Sequence, residues 1–310
     1  IVRRRFESLH KRFQEDDEFF DEYSKAIGAM LEEGHAEKVP VSELKRPQGK
    51  TFYIPHHAVR HPRKSIRVVY DTSLKVNGKS LCTEIMSGPD VLNSLAGVLM
   101  RFRQRKFPIT ADLRKYYLSV HLPKEDSDFM RFFFYEDPKD PKSPVVEYRV
   151  TTHIFGGIWS QSVAGYAIEQ TIQEALCNNE ITEKEAKEIR RSLYSDDYVR
   201  SFDTIVEAVQ SALQLVKMLK RSGFHLAKFA STESAILEKI PPKLRHPNIE
   251  DLDFKGKLEN VLGITWCIED DTFRFAVDPD RMEDLTTRRK LLGCGASVFD
   301  PNGWMLFITT

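Results

Sequence analysis

The sequence predicts an α+β fold in more than one subdomain. Three observations carry this. At 310 residues the chain can bury a large core and divide it. Its 41% apolar and 30% charged content is that of a folded protein, too apolar for disorder. Strand-like runs with turn signals, such as Ser192-Leu193-Tyr194-Ser195-Asp196-Asp197-Tyr198-Val199, alternate with stretches of helical period.

Taken in order, the chain opens on a basic stretch, followed by an acidic cluster from Glu15 to Glu22. Phe20, Tyr23, Ile27 and Met30 then recur at helical spacing and stop at Gly34, which predicts an amphipathic helix packed on the body. After the turn-like Arg46-Pro47-Gln48-Gly49, Pro55 and Pro62 exclude helix and predict an extended segment through Tyr70-Asp71. His56-His57 invites a metal reading, but neighbours on a strand point to opposite faces, which favours a structural or phosphate-contacting role. Asn77-Gly78 marks a tight turn. Pro89-Asp90 is expected to open a helix with Val91, Leu95, Val98 and Leu99 on its apolar face, and Arg101, Arg103 and Arg105 complement the dipole at its end. Phe107–Leu113 reads as a strand, and Val120–Val150 as strands around a polar loop at Glu136–Ser143. Ala164, Ile168, Ile172 and Leu176 mark a further helix. Thr204-Ile205-Val206-Glu207 reads as a capping box that opens a helix burying Val206, Val209, Leu213 and Val216 and closing at Gly223.

Lys and Arg number 46, as do Asp and Glu, so total charge gives no support to nucleic-acid binding. Distribution says more. From Lys45 to Lys79 nine basic residues stand against the single acid Asp71, which predicts a basic patch or else a solvated lysine-rich surface. No apolar run approaches the ~20 residues of a membrane helix. Ile1-Val2-Arg3-Arg4-Arg5 has no signal-peptide core behind it, so the chain reads as intracellular, and a start without Met reads as a piece excised from a longer polyprotein. Cys82, Cys177, Cys267 and Cys294 form no CxxC pair and read as reduced, mostly packed thiols.

The chemistry concentrates in carboxylates. Asp196 and Asp197 stand side by side at the tip of an expected hairpin, and crowded like charges are costly without a positive partner. A divalent cation, Mg²⁺ first, takes one or two carboxylates plus substrate phosphates. Asp is also a common turn residue, so this motif alone fits a plain turn. Asp112 adds to it, because a carboxylate inside an apolar strand is expensive unless paired or bound to metal. It lies 84 positions before Asp196, and only a fold can join them. Three joined carboxylates would suit two metal ions and in-line phosphoryl transfer.

Together these stretches resemble the first and third catalytic motifs of reverse transcriptases. Tyr53-Ile54-Pro55-His56-His57, Arg67-Val68-Val69-Tyr70-Asp71 and Ala296-Ser297-Val298-Phe299-Asp300-Pro301 look most like the Bel/Pao group of long-terminal-repeat retrotransposons, and the resemblance covers nearly the whole chain in order. It implies a right-hand polymerase fold of fingers and palm, with an antiparallel palm sheet backed by helices and a truncated thumb. Residues 1–50 would be an N-terminal helical extension, 51–268 fingers and palm, and 269–310 the start of the thumb. The implied activity is that of an RNA-directed DNA polymerase adding deoxynucleotides to a primer 3′-hydroxyl with two Mg²⁺ ions, Mn²⁺ being the alternative metal. A competing expectation is an inactive retroelement remnant that only binds nucleic acid.

By this resemblance Asp112, Asp196 and Asp197 are catalytic and hold the metal. Lys228, in Phe224-His225-Leu226-Ala227-Lys228-Phe229, takes the place of the fourth motif's lysine near the leaving pyrophosphate, although a surface lysine on a strand fits as well. Arg67 matches the arginine that contacts the incoming triphosphate, with Arg60 or Lys64 as a second cation. Tyr117 stands where reverse transcriptases carry an aromatic gate against a 2′-hydroxyl, which argues for deoxynucleotides and against an RNA-synthesising relative. Phe155 and Gly156 take the place of the second motif under the template base and nucleotide, while Gly157 and Trp159-Ser160-Gln161 depart from the family there. Leu262, Gly263 and Trp266 resemble the primer grip. Implied partners are an RNA or DNA template with primer and deoxynucleoside triphosphates, with no membrane. Ribonuclease H and integrase are expected elsewhere in the polyprotein, and the location is cytoplasmic or within virus-like particles.

Overall fold

The computed structural model of the protein describes residues 1–47, 49–61, 64–249, 252, 254–275 and 286–304. The chain forms two compact units, Ile1–Val91 with Lys115–Ala167, and Leu92–Arg114 with Ile168–Thr310. Its strands are β1 (Ala36–Lys38), β2 (His56–His61), β3 (Lys64–Tyr70), β4 (Phe107–Arg114), β5 (Arg131–Tyr135), β6 (Val145–Val150), β7 (Leu193–Tyr194), β8 (Asp197–Phe202), β9 (His225–Ser231), β10 (Leu258–Val261), β11 (Ile264–Cys267) and β12 (Thr272–Arg274). They pair antiparallel into sheets ordered β1-β6-β5, β2-β3, β7-β8-β4-β9 and β10-β11-β12, so the α+β class is borne out. No helix among the described residues is long and apolar enough to cross a membrane.

In the first unit the basic start is itself helical. Val2–Glu15 turns Val2, Phe6 and Phe13 inward and leaves Arg3, Arg4 and Arg5 exposed. A second helix, Asp17–Glu32, follows at once because Asp16 caps it, accepting from the Phe19 amide at 2.9 Å. Gly34, at φ +75°, stops the chain as its position predicts. Phe6, Phe13, Phe19, Phe20 and Tyr23 from these helices pack with Phe132, Phe134, Tyr135 and Tyr148 of β5 and β6 into one aromatic core. Strand alternation separates the paired histidines. His56 is buried, with Nε2–H donating to Phe133 O at 2.9 Å and Nδ1 accepting from Tyr23, whereas His57 faces out. Asn77 and Gly78 are both at positive φ between the paired Val76 and Lys79, the expected tight turn.

Beneath β5 and β6 lies a buried ionic network. Arg131 and Arg149 are 0% and 1% exposed, and both bond Asp128 Oδ1. Arg131 also reaches Glu147, and Arg149 reaches Glu37 and Glu43. Each guanidinium finds several acceptors, the condition under which buried charge is tolerated.

The second unit is built on the four-stranded sheet. The helix Leu95–Phe102 packs on β8 and the helix Ile205–Arg221 on β9. Two expectations need correction. The stretch before Leu95 is not helical: Ser94 caps the helix on Gly97, and the Asn93 side chain, through Nδ2, donates to the Arg190 and Leu193 carbonyls at 2.7 Å, which ties this stretch to the end of the Glu183–Ser192 region. The helix after Thr204 starts on its expected cap, Thr204 accepting from the Glu207 amide, but it turns Ala208, Ser211, Ala212, Leu215 and Leu219 inward. Val206 is 63% exposed and Leu213 38%. Small residues at 208, 211 and 212 let the helix axis approach the sheet closely, so this face wins over the more hydrophobic one beside it. A helix not expected from the sequence, Glu183–Ser192, leads directly into β7.

Candidate active site

Asp112 sits on β4 between the buried Ala111 and Leu113, and alternation turns it to the opposite, half-buried face. Leu193–Tyr194 and Asp197–Phe202 form the expected hairpin, closed by the two-residue turn Ser195-Asp196 with Ser195 at φ +54°. The pairing of β4 with β8 makes Asp112 and Asp197 direct cross-strand partners. The Leu113 amide donates to the Asp196 carbonyl at 2.7 Å, which ties the turn to the strand bearing Asp112. The fold thus joins the three carboxylates that the sequence separates.

On the other side of β4, β9 carries a bulge. Asp112 pairs with Ala227 and Thr110 with Ala230, so Lys228 and Phe229 together oppose Ala111. Lys228 adopts φ +55°, rare for a residue inside a strand. That local twist aims its ammonium at Asp112, with Nζ 3.1 Å from Oδ2. Such bulges commonly re-aim a side chain beside a site.

The electrostatics follow from crowding. Burial first, then the neighbouring Asp196 and Asp112 charges, push the Asp197 carboxyl up to about 7, against a smaller opposing pull from Lys228. Asp196 is raised too, by burial first and by Asp112. Hard oxygen donors that repel one another in a half-buried setting are the donor set a small divalent cation relieves. Among the described residues no three Asp, Glu, His or Cys side chains already stand in metal-ligand geometry, and one oxygen of Asp112 is engaged by Lys228.

The nucleotide-side candidates gather in the first unit. The guanidinium of Arg67, on the exposed side of β3, lies over the Phe155 ring at 4.7 Å. Tyr117 meets the same ring edge-on with centroids 5.1 Å apart, and its hydroxyl donates to Gln161 Oε1 at 2.9 Å. Gly156, at φ +101°, lies so close to Tyr70 that a Cβ would come to 2.7 Å from its carbonyl oxygen. Gln161 gave no signal in the sequence as a partner of Tyr117, because nothing local links positions 44 apart. Arg60 stands apart from this group, pairing with Asp16 and Glu22 at 3.7 and 3.8 Å and covering Phe19. The side chain of Lys64 lies outside the described residues.

In the second unit Leu262 and Gly263 form the turn between β10 and β11. Trp266 is fully buried against Phe102, with Nε1 donating to Asp271 Oδ1 at 2.8 Å, so it supports the hairpin from inside. All four cysteines are free, Cys267 buried and Cys177 exposed.

No protein-family model matches the chain, and no curated protein does. Among solved structures it is similar to a foamy viral protease-reverse transcriptase in complex with double-stranded DNA, with TM-score 0.53, 14% identity, and 86% of this chain and 38% of that one covered. It is also similar to a foamy viral protease-reverse transcriptase in complex with an RNA/DNA hybrid, with TM-score 0.50, 17% identity, and 87% and 29% coverage. The chain therefore spans less than two fifths of the length of these relatives. At such identities the likeness is one of fold.

Proposed function

We propose that the chain is the fingers and palm of an RNA-directed DNA polymerase, of Bel/Pao retrotransposon type, with 1–50 as an N-terminal helical extension, 51–268 as fingers and palm and 269–310 as the start of a thumb. The observation that carries this reading is the joining of Asp112, Asp196 and Asp197 by two strands and a hairpin turn, in a fold shared with reverse transcriptase structures.

In this reading Asp112, Asp196 and Asp197 would hold two Mg²⁺ ions, which lower the pKa of an attacking hydroxyl and neutralise charge on a departing diphosphate. The protein's own part is position and charge. The β4–β8 pairing fixes the spacing of the carboxylates. Lys228 holds its ammonium at Asp112 and would serve the leaving diphosphate as a general acid or as a stabilising charge. Arg67 is assigned to the triphosphate, held flat by Phe155, and Gly156 lets the Phe155 loop close onto the Tyr70 backbone. Tyr117, fixed by Gln161, is assigned the check on the sugar. The Leu262-Gly263 turn is assigned to the primer terminus. Template with primer and deoxynucleoside triphosphates are the expected partners, in the cytoplasm or in virus-like particles, with ribonuclease H and integrase elsewhere in the polyprotein.

Primer extension on an RNA template with Mg²⁺ tests this. Deoxynucleotides should be added and ribonucleotides refused, and Tyr117→Ala should relax that refusal by about 10–100-fold. Equal use of both sugars by the unaltered protein would contradict the role given to Tyr117.

A further inference from the structure

The Ala296–Pro301 stretch, singled out by its sequence and so far without a role, and Trp304 just beyond it hold the β10-β11-β12 sheet at two points. At the first, the Phe299 ring lies against Gly263, where a Cβ would come to 2.6 Å from ring atom Cε1 and 3.1 Å from Cδ1. At the second, Trp304 stacks on Phe273 of β12, with centroids 5.6 Å apart and planes at 21°. The stretch is itself tied down. The Ala296 amide closes the helix Arg288–Gly295 on Leu292 O, Ser297 Oγ donates to Cys294 O at 2.6 Å, and the Gly303 amide donates to Asp300 O at 3.2 Å.

The first of these points is one that needs holding. The β10–β11 turn places both central residues at positive φ, Leu262 at 52° and Gly263 at 89°. Two-residue hairpin turns of this kind favour Asn-Gly, and a leucine in the left-handed region is disfavoured. Asn260 Oδ1 offers partial support by accepting from the Gly263 amide at 2.8 Å. The ring of Phe299 supplies the rest by closing on the turn, and only a residue without a Cβ allows that approach. Phe299 itself remains 50% exposed.

We infer that Phe299 is a positioning residue: anchored through Trp304, it fixes the Leu262-Gly263 turn so that the turn can hold a primer 3′ end in line for attack. This rests on the polymerase reading above. Proximity effects of this type are steep, since a displacement of about 1 Å can change rate by ~10²-fold.

The test compares the unaltered chain with Phe299→Ala, Phe299→Leu and Phe299→Tyr, on a primer ending in 4-thiothymidine, annealed to template. Single-turnover extension, duplex affinity and photo-crosslinking of the primer terminus are measured together. Phe299→Ala should slow extension by about 10–100-fold and lower crosslinking to residues 258–267 in step. Its duplex affinity should stay within about threefold. Phe299→Tyr should restore both, and Phe299→Leu gives the same reading if the alanine variant does not fold. Extension and crosslinking by Phe299→Ala at the level of the unaltered chain would overturn the inference and leave the polymerase reading standing. Failure of the tyrosine variant to rescue would also overturn it. An unaltered chain that neither extends nor crosslinks would overturn the polymerase reading, and with it this role for Phe299.

Discussion

At Asp197 two effects act in the same direction, since burial and the Asp196 and Asp112 charges all disfavour the ionised form and bring its carboxyl to about 7. The sign of the linkage follows. A raised folded-state pKa contributes stability below the unfolded value near 4, and that contribution is lost as pH rises toward 7. Asp197→Asn should therefore raise stability in chelator at pH 8, by about 1–3 kcal/mol, and give little gain at pH 4. Chemical unfolding at the two pH values checks it. His56 has the opposite sign, because burial first of all holds its folded pKa near 4, below the ordinary value of 6.5. Its stability is complete above 6.5 and is lost as pH falls toward 4. Denaturant midpoints should fall over that window, and less steeply in His56→Gln. The separation of His56 from His57 was legible, because strand alternation is a local rule. The aim of Lys228 was not: its left-handed bulge depends on the register of β9 against β4, set by contacts far apart in sequence.

Local signals marked many elements, while their faces depended on packing. The helix stop at Gly34, the turn at Asn77-Gly78 and the cap at Thr204 were each visible as short patterns whose chemistry is self-contained. The buried face of Ile205–Arg221 was misread because Ala208 and Ala212 count for little in hydrophobicity and for much in close approach. The helix Glu183–Ser192 escaped because its only buried residues are Ala186, Ile189 and Ser192 in a run of charges. The ionic network beneath β5 and β6 belongs to this scale as well. Asp128 is pulled up by burial, yet Arg131 and Arg149 outweigh this and hold its carboxyl below the usual range. Arg131→Met leaves Asp128 and Glu147 short of a partner and should cost about 3–5 kcal/mol. The calorimetric transition of the first unit should shift accordingly, and an unchanged transition would argue against the network.

Over the whole molecule, the α+β class and the meeting of Asp112 with Asp196-Asp197 were both readable, the first from patterning and the second only through resemblance. Composition could not reach this far, since a net charge of zero hides where charges lie. The likeness to foamy viral protease-reverse transcriptase structures is one of fold at 14% and 17% identity, so the activity has to be tested directly. The most direct measurement is single-turnover primer extension by the unaltered chain beside Asp196→Asn, with duplex binding measured on the same samples. Loss of about 10³-fold or more in extension by the variant, with duplex affinity nearly unchanged, is the result expected if these carboxylates carry the chemistry. Extension by Asp196→Asn at the rate of the unaltered chain would contradict it.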